Sequence, residues 1–111
     1  MLKRTAAPAM TIIAIAALLA GMRAGSALAS AAAGKELAGH WCAECHALEA
    51  GKPSTNPTAP SFPELAANPA VTEYSLRLLL RSPHPTMPHI VFKDEELDDM
   101  VDFVLSLKPR G

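Results

Sequence analysis

These 111 residues predict an all-helical single domain, and three observations carry that expectation. Strand signals are nearly missing: no alternating β-branched run occurs, Ala and Leu dominate, and apolar residues recur at helical spacing. The only two cysteines, Cys42 and Cys45, sit three positions apart, which excludes a multi-disulfide scaffold. The part of the chain expected to fold, residues 30–111, is small for a core made of side chains alone. A bound group is therefore expected at its centre.

Residues 1–29 read as a segment apart. Lys3 and Arg4 give a positive start, an apolar stretch runs from Ala6 to Ala20, and Ser26-Ala27-Leu28-Ala29 closes it with small residues where a signal peptidase reads. That is the layout of a secretory signal peptide, and it places residues 30–111 in the periplasm. The alternative is an uncleaved anchor, which would bring the domain to the membrane. The apolar stretch is short against the roughly 20 residues a spanning helix needs. After removal of this segment, seven Lys and Arg face all 11 acids, a formal net charge of −4. Nucleic acid is excluded as a partner by that sign, and a protein partner with a positive patch is favoured.

The first helix of the domain is expected from about Gly34 to His46, with Leu37 and Trp41 four apart on one face. A Gly-, Pro-, Ser-, Thr- and Asn-rich loop follows, from Gly51 to Pro60. A short helix is expected over Phe62–Asn68, capped by Ser61 with Pro63 at its first position. A third helix starts at the cap Thr72, where Val71 and Leu76 have the spacing of a hydrophobic staple. It ends at Ser82, because Pro83 disfavours helix in the residue before it. His84-Pro85-Thr86-Met87-Pro88-His89 must then be an ordered loop. The last helix is expected from about Asp94 to Lys108, with Leu97, Met100, Val101, Phe103, Val104, Leu105 and Leu107 on one wide apolar arc. Asp94, Glu95 and Glu96 at its start, and Lys108 and Arg110 at its end, suit the helix dipole.

The chemistry concentrates in residues 41–46, WCAECH. A dithiol redox pair would normally follow a strand in a βαβ unit, and none is in sight. Zinc held by Cys42, Cys45, His84 and His89 would need a gap between the two pairs far longer than finger spacing. A structural Cys42–Cys45 disulfide would close a tiny loop, stabilise little, and leave His46 unexplained. Cys-x-x-Cys-His is also the attachment signature of c-type haem. Residues at i and i+3 on a helix lie about 5–6 Å apart on one side, so two thiols reach two vinyl groups of one porphyrin. The residue after them, His46, then lies under the ring as an iron ligand. One covalent haem is the favoured reading.

An iron held by His46 has a sixth position. Met100 faces inward on the last helix, so packing explains it. Met87 lies in a loop that Pro85 and Pro88 stiffen on both sides, which suits a weak thioether–iron bond. Met87 is the favoured ligand, and His84 and His89 remain as alternatives. With His and Met on the iron, no position is left for oxygen, peroxide or a small-molecule substrate. One-electron exchange is then the remaining chemistry, at a potential that the thioether raises, and no enzymatic activity is expected.

From Gly34 to Leu107 the sequence resembles the small class I, monohaem bacterial cytochromes c. Gly34, eight positions before Cys42, is similar to the family's small residue where the first helix crosses the last, and Phe103 to the aromatic packed there. Ala59-Pro60-Ser61-Phe62 is similar to the segment whose proline carbonyl orients the proximal histidine, a role the resemblance gives to Pro60. Thr86-Met87-Pro88 resembles the ligand loop, and Glu95 to Phe103 the closing helix. The chain departs from the family at Ala38, where a large aromatic is usual, and in the loop of residues 47–59 with Glu49 and Lys52. His84 and His89 beside the ligand loop read as surface residues. The resemblance implies the small cytochrome c fold, three to four helices around one covalently bound haem. It implies a one-electron carrier with transient redox protein partners. The alternatives are an electron-delivery subunit or module of a dehydrogenase or oxidase complex, and a haem sensor with a labile sixth ligand.

Overall fold

The described residues form four helices in chain order: α1 (Ala9–Trp41), α2 (Phe62–Ala67), α3 (Glu73–Arg81) and α4 (Asp94–Ser106). The computed structural model describes residues 9–111, with side chains from residue 26 onward. Lys3, Arg4 and the side chains of the apolar stretch up to Ala20, read above as an export signal, lie outside the described residues. Among the described residues no strand forms, and no helix is long and apolar enough to cross a membrane.

The first helix differs from its expected bounds at both ends. Its backbone runs unbroken from Ala9 through Gly34 to Trp41, because Ser30–Ala33 is an alanine-rich stretch with no stop signal. Gly34 therefore does not start the helix; it serves a crossing. The helix also ends before the cysteine motif. The amides of Cys42 and Ala43 both bond to the carbonyl of Ala38, at 2.8 and 3.0 Å, and that doubled acceptor closes the last turn. Residues 42–45 then form tight turns, with His46 N bonded to Cys42 O at 2.9 Å.

The short elements follow their capping chemistry. Ser61 caps α2 and Thr72 caps α3, each closing a reciprocal pair with the side chain three residues on, Glu64 and Ser75. Pro63 stands at the second helical position, one later than expected, since Phe62 already belongs to the helix. Ser82 ends α3 before Pro83. At α4 the Glu96 carboxylate accepts from the Lys93 amide at 2.9 Å, and the helix stops at Ser106, two residues short of the expected end. Lys108, beyond it, donates to Ala66 O at 3.3 Å, placing a cation on the C-terminal carbonyls of α2.

All packing converges on α4. It crosses α1 along the main contact of the molecule, and α2 and α3 also rest on it. The core is Ala38 of α1, Phe62 and Ala66 of α2, Leu76 of α3, and Leu97, Met100, Val101, Phe103 and Val104 of α4. The crossing depends on Gly34. A Cβ there would stand 1.9 Å from Asp99 O and 2.7 Å from Phe103 Cβ, so only hydrogen fits. Ser30, one turn earlier, donates to Asp99 Oδ1 at 2.6 Å and fastens the same crossing. Arg77 bridges α3 to α4, with Glu73 at 3.0 Å and Asp98 at 2.7 Å. These pairs are exposed and set orientation more than stability.

Candidate functional site

A cavity of about 320 Å³ opens beside α4, against Met100 and Val104. The favoured site residues read from the sequence all line it: Cys42, Cys45 and His46, Pro60, and Met87. The rest of its wall is mainly apolar and comes from every helix, including Phe62 and Leu65 of α2, Leu76 and Leu80 of α3, and Val104 of α4. Such a lining, with a few placed polar groups, is what small-molecule and cofactor sites use.

The geometry at His46 is specific. Its Nδ1 lies 2.6 Å from the carbonyl oxygen of Pro60. A carbonyl only accepts, so Nδ1 carries the proton and donates. The lone pair is left on Nε2, the nitrogen a metal would take. Phe62 meets the imidazole edge-on, centroids 5.4 Å apart at 62°, and packs in turn on Phe103 at 5.9 Å. The ring is thus held by a hydrogen bond at one side and by the core at the other.

The loop between the motif and α2 is what brings Pro60 to His46. Asn56 N bonds to Cys45 O at 3.3 Å, Ala47 N to the Ser54 hydroxyl at 2.9 Å, and Phe62 N to Ala47 O at 2.8 Å. The Thr55 hydroxyl donates to Glu44 O. Gly51, at φ 77°, supplies the one left-handed residue of the turn, and Lys52 pairs with Glu49 at 2.8 Å. Sequence reasoning did not single out Ser54, Thr55 or Asn56. Their polar, turn-forming character signals a loop, but nothing local says which carbonyls they will take.

The two thiols are unpaired with each other, and both are half-buried. Burial pushes the Cys42 thiol above its ordinary value. That direction is opposite to the lowered thiol on which a dithiol redox pair relies. Among the described residues, no group of three His, Cys, Asp or Glu side chains is gathered around one point.

Met87 lines the same cavity and is half-buried on the loop after α3. Met100 also touches the cavity but is only 1% exposed, fixed in the α4 core as packing predicts. His84 corrects the expectation that it lies on the surface. It is half-buried, lines the cavity, and pairs with Met87 as an isolated antiparallel bridge. His89 is exposed and lies outside the lining. Trp41 is 61% exposed at the cavity rim, so it does not share a packed face with the half-buried Leu37.

The arrangement therefore offers a mainly apolar recess lined by two thiols, an oriented imidazole and a thioether. Those residues fit a c-type haem in the chemistry of their donors. Comparison with known proteins points the same way. The protein family described as cytochrome c oxidase, cbb3-type, subunit III matches residues 29–104. Cytochrome c-552 of Bradyrhizobium diazoefficiens is 36% identical over 85 residues, 76% of this chain and 82% of that relative. No solved structure matches the chain. An all-helical domain built around a Cys-x-x-Cys-His recess, matched over most of its length by that family and that relative, makes this chain a member of the cytochrome c family.

Proposed function

We propose that the protein is a periplasmic one-electron carrier whose haem c is bound through thioethers from Cys42 and Cys45, with His46 and Met87 as axial ligands. The observation that carries this reading is the 2.6 Å contact from His46 Nδ1 to Pro60 O, which leaves Nε2 as the donor atom in a cavity also lined by both thiols and Met87. The haem supplies an iron that gains and loses one electron. The chain's own work is to hold the iron's surroundings still. Pro60 orients His46, Phe62 blocks ring rotation, and Pro85 and Pro88 stiffen the loop that bears Met87. A fixed ligand set leaves little to rearrange when the charge on the metal changes. Occupation of both axial positions leaves none for a substrate, which is why the reading is a carrier and not an enzyme.

Residues 1–29 are assigned to an export signal. The family match beginning at residue 29 supports a boundary there, and mass spectrometry of the secreted protein should find Ser30 as its first residue. Partners are redox proteins that dock transiently at the cavity rim. The printed name of the matched family favours one second reading, electron delivery within an oxidase complex. Recovery of the protein bound to oxidase subunits after mild solubilisation would select it over a free carrier.

The central test is a visible spectrum with a redox titration of the mature protein. The oxidised form should show the weak long-wavelength band of a thioether–Fe(III) bond. Met87→Ala should remove that band and lower the midpoint by part of the roughly 0.8 V that axial ligands span. An unchanged spectrum in Met87→Ala would rule Met87 out.

A further inference from the structure

The loop after α3 presents two donors to the cavity, not one. His84 and Met87 face each other across the Pro85-Thr86 turn as an antiparallel bridge. Proline at the second position of a four-residue turn presets its φ, and residues opposed in such a bridge carry their side chains on the same face, with Cβ atoms about 4.5–5.5 Å apart. The burial pattern agrees. His84 and Met87 are both half-buried and both line the cavity; Pro85 and Thr86 between them are exposed, although Thr86 also reaches the lining. Of the four histidines, only His46 and His84 reach the cavity lining; His40 and His89 are exposed and do not. His46 is committed to Pro60, and His84 has no comparable assignment in the proposed carrier.

Resting on the ligand set proposed above, we infer that His84 is a reserve axial ligand, which takes the iron whenever Met87 does not hold it. The physical basis is proximity. A side chain tethered one short turn from the resident ligand competes at an effective concentration in the millimolar range or above, and imidazole is a good ligand for iron in either oxidation state. Exchange of one donor for the other needs the turn to shift locally and breaks no covalent bond. Its consequence is that loss of the thioether closes the iron again with nitrogen. The protein would change potential without gaining an open site.

The experiment uses the haem-bearing protein and reads the spin state and carbon monoxide binding. Met87→Leu keeps the side chain's volume and removes its sulfur, so the loop is not emptied. The expected result is a six-coordinate, low-spin spectrum with two nitrogen axial ligands. Met87→Leu/His84→Ala should instead be high-spin and bind carbon monoxide at least about tenfold more tightly, because a ligand that fills the site most of the time lowers apparent affinity by the fraction left open. Far-UV circular dichroism confirms that each variant is folded. A Met87→Leu protein that is already high-spin, with the same carbon monoxide affinity as the double variant, overturns the reserve role and leaves His46 and Met87 as ligands. A double variant that stays closed also overturns it, since another donor must then be responsible. If the unmodified protein lacks the thioether band and His84→Ala alone opens the iron, His84 is the resident ligand. In that case the Met87 assignment fails first.

Discussion

Gly34→Ala adds a single methyl group at the α1–α4 crossing, and its effect can be worked from distances. The new Cβ would lie 1.9 Å from Asp99 O, 2.5 Å from Asp99 C and 2.7 Å from Phe103 Cβ. The nearest approach is about 1.5 Å short of ordinary van der Waals contact. None of the three atoms is the end of a flexible side chain, so no rotamer change relieves the clash. The helices must separate along the largest contact in the molecule, loosening Ala38 and Phe103 as well. Overpacking of this kind costs about 1–3 kcal/mol, and backbone as the obstacle puts it at the upper end, about 3 kcal/mol. Better helix propensity returns up to about 1 kcal/mol, leaving a net loss of about 2 kcal/mol. With a urea m-value of about 1–2 kcal/mol/M for a small domain, the midpoint should fall by about 1–2 M. The control lies on the same helix: at Gly39, which is exposed, a Cβ meets nothing within 4 Å. Gly39→Ala should be neutral or stabilising by up to about 1 kcal/mol. Urea unfolding of the haem-bearing proteins, followed by circular dichroism, makes the comparison. Equal midpoints for the two variants would refute the crossing argument.

Met100→Leu conserves volume in the core and should lower stability by less than about 1.5 kcal/mol; the visible spectrum should be unchanged, whereas a lost long-wavelength band would make Met100 the sulfur ligand. Glu64→Gln tests the cap of α2. Hydrogen bonds from the Ser61 amide and hydroxyl, at 2.8 and 2.9 Å, hold the Glu64 carboxyl below its ordinary value. A lowered pKa stabilises the fold above the unfolded-state value and loses that stabilisation as pH falls through the folded-state value. The wild-type protein should therefore lose stability in the acid range more steeply than Glu64→Gln, and thermal unfolding at stepped pH should show parallel slopes if the cap carries no charge linkage. Ser61→Ala, which removes the cap itself, should cost about 1 kcal/mol at neutral pH.

What could be read from the sequence was local. Ser61 with Glu64, and Thr72 with Ser75, are caps whose partners lie three residues away, and both helices begin where those residues place them. The apolar arc of α4 was equally plain, because 3.6-residue periodicity is a property of one segment. Legibility failed where the determinant was distant. Gly34 does not break α1, since its reason is Asp99, far along the chain. The Trp41 side chain obeys helical spacing and still ends at a rim, because the face it shares with Leu37 meets a cavity there and not a neighbouring helix. The contact between His46 and Pro60 was expected from a family resemblance alone; no property of residues 47–59 computes it. Prolines told that residues 84–89 turn, but not the register that puts His84 beside Met87.

The size of the cavity bears on whether this chain folds without its cofactor. Nine hydrophobic side chains make up the buried core, and five of them belong to α4. Beside α4 lies a recess of about 320 Å³. At about 24 cal/mol per Å³, leaving that volume empty costs about 8 kcal/mol. This is an upper bound, because the rim is open to water near the exposed Trp41 and Glu44. Native stability runs at about 0.05–0.15 kcal/mol per residue, or about 4–12 kcal/mol for residues 30–111. That upper bound falls within the range of the whole stability available. Collapse of Leu76, Leu80 and Val104 into the gap would relieve it only by breaking the α3–α4 packing that orients Met87. A Cys42→Ser/Cys45→Ser protein purified free of haem should accordingly keep part of its helix content but bind a hydrophobic dye and unfold without a sharp transition. Cooperative unfolding at the midpoint of the haem-bearing protein would refute this, and would mean that the four helices specify the recess by themselves. The porphyrin would then be a guest in a finished site and not the missing part of the core.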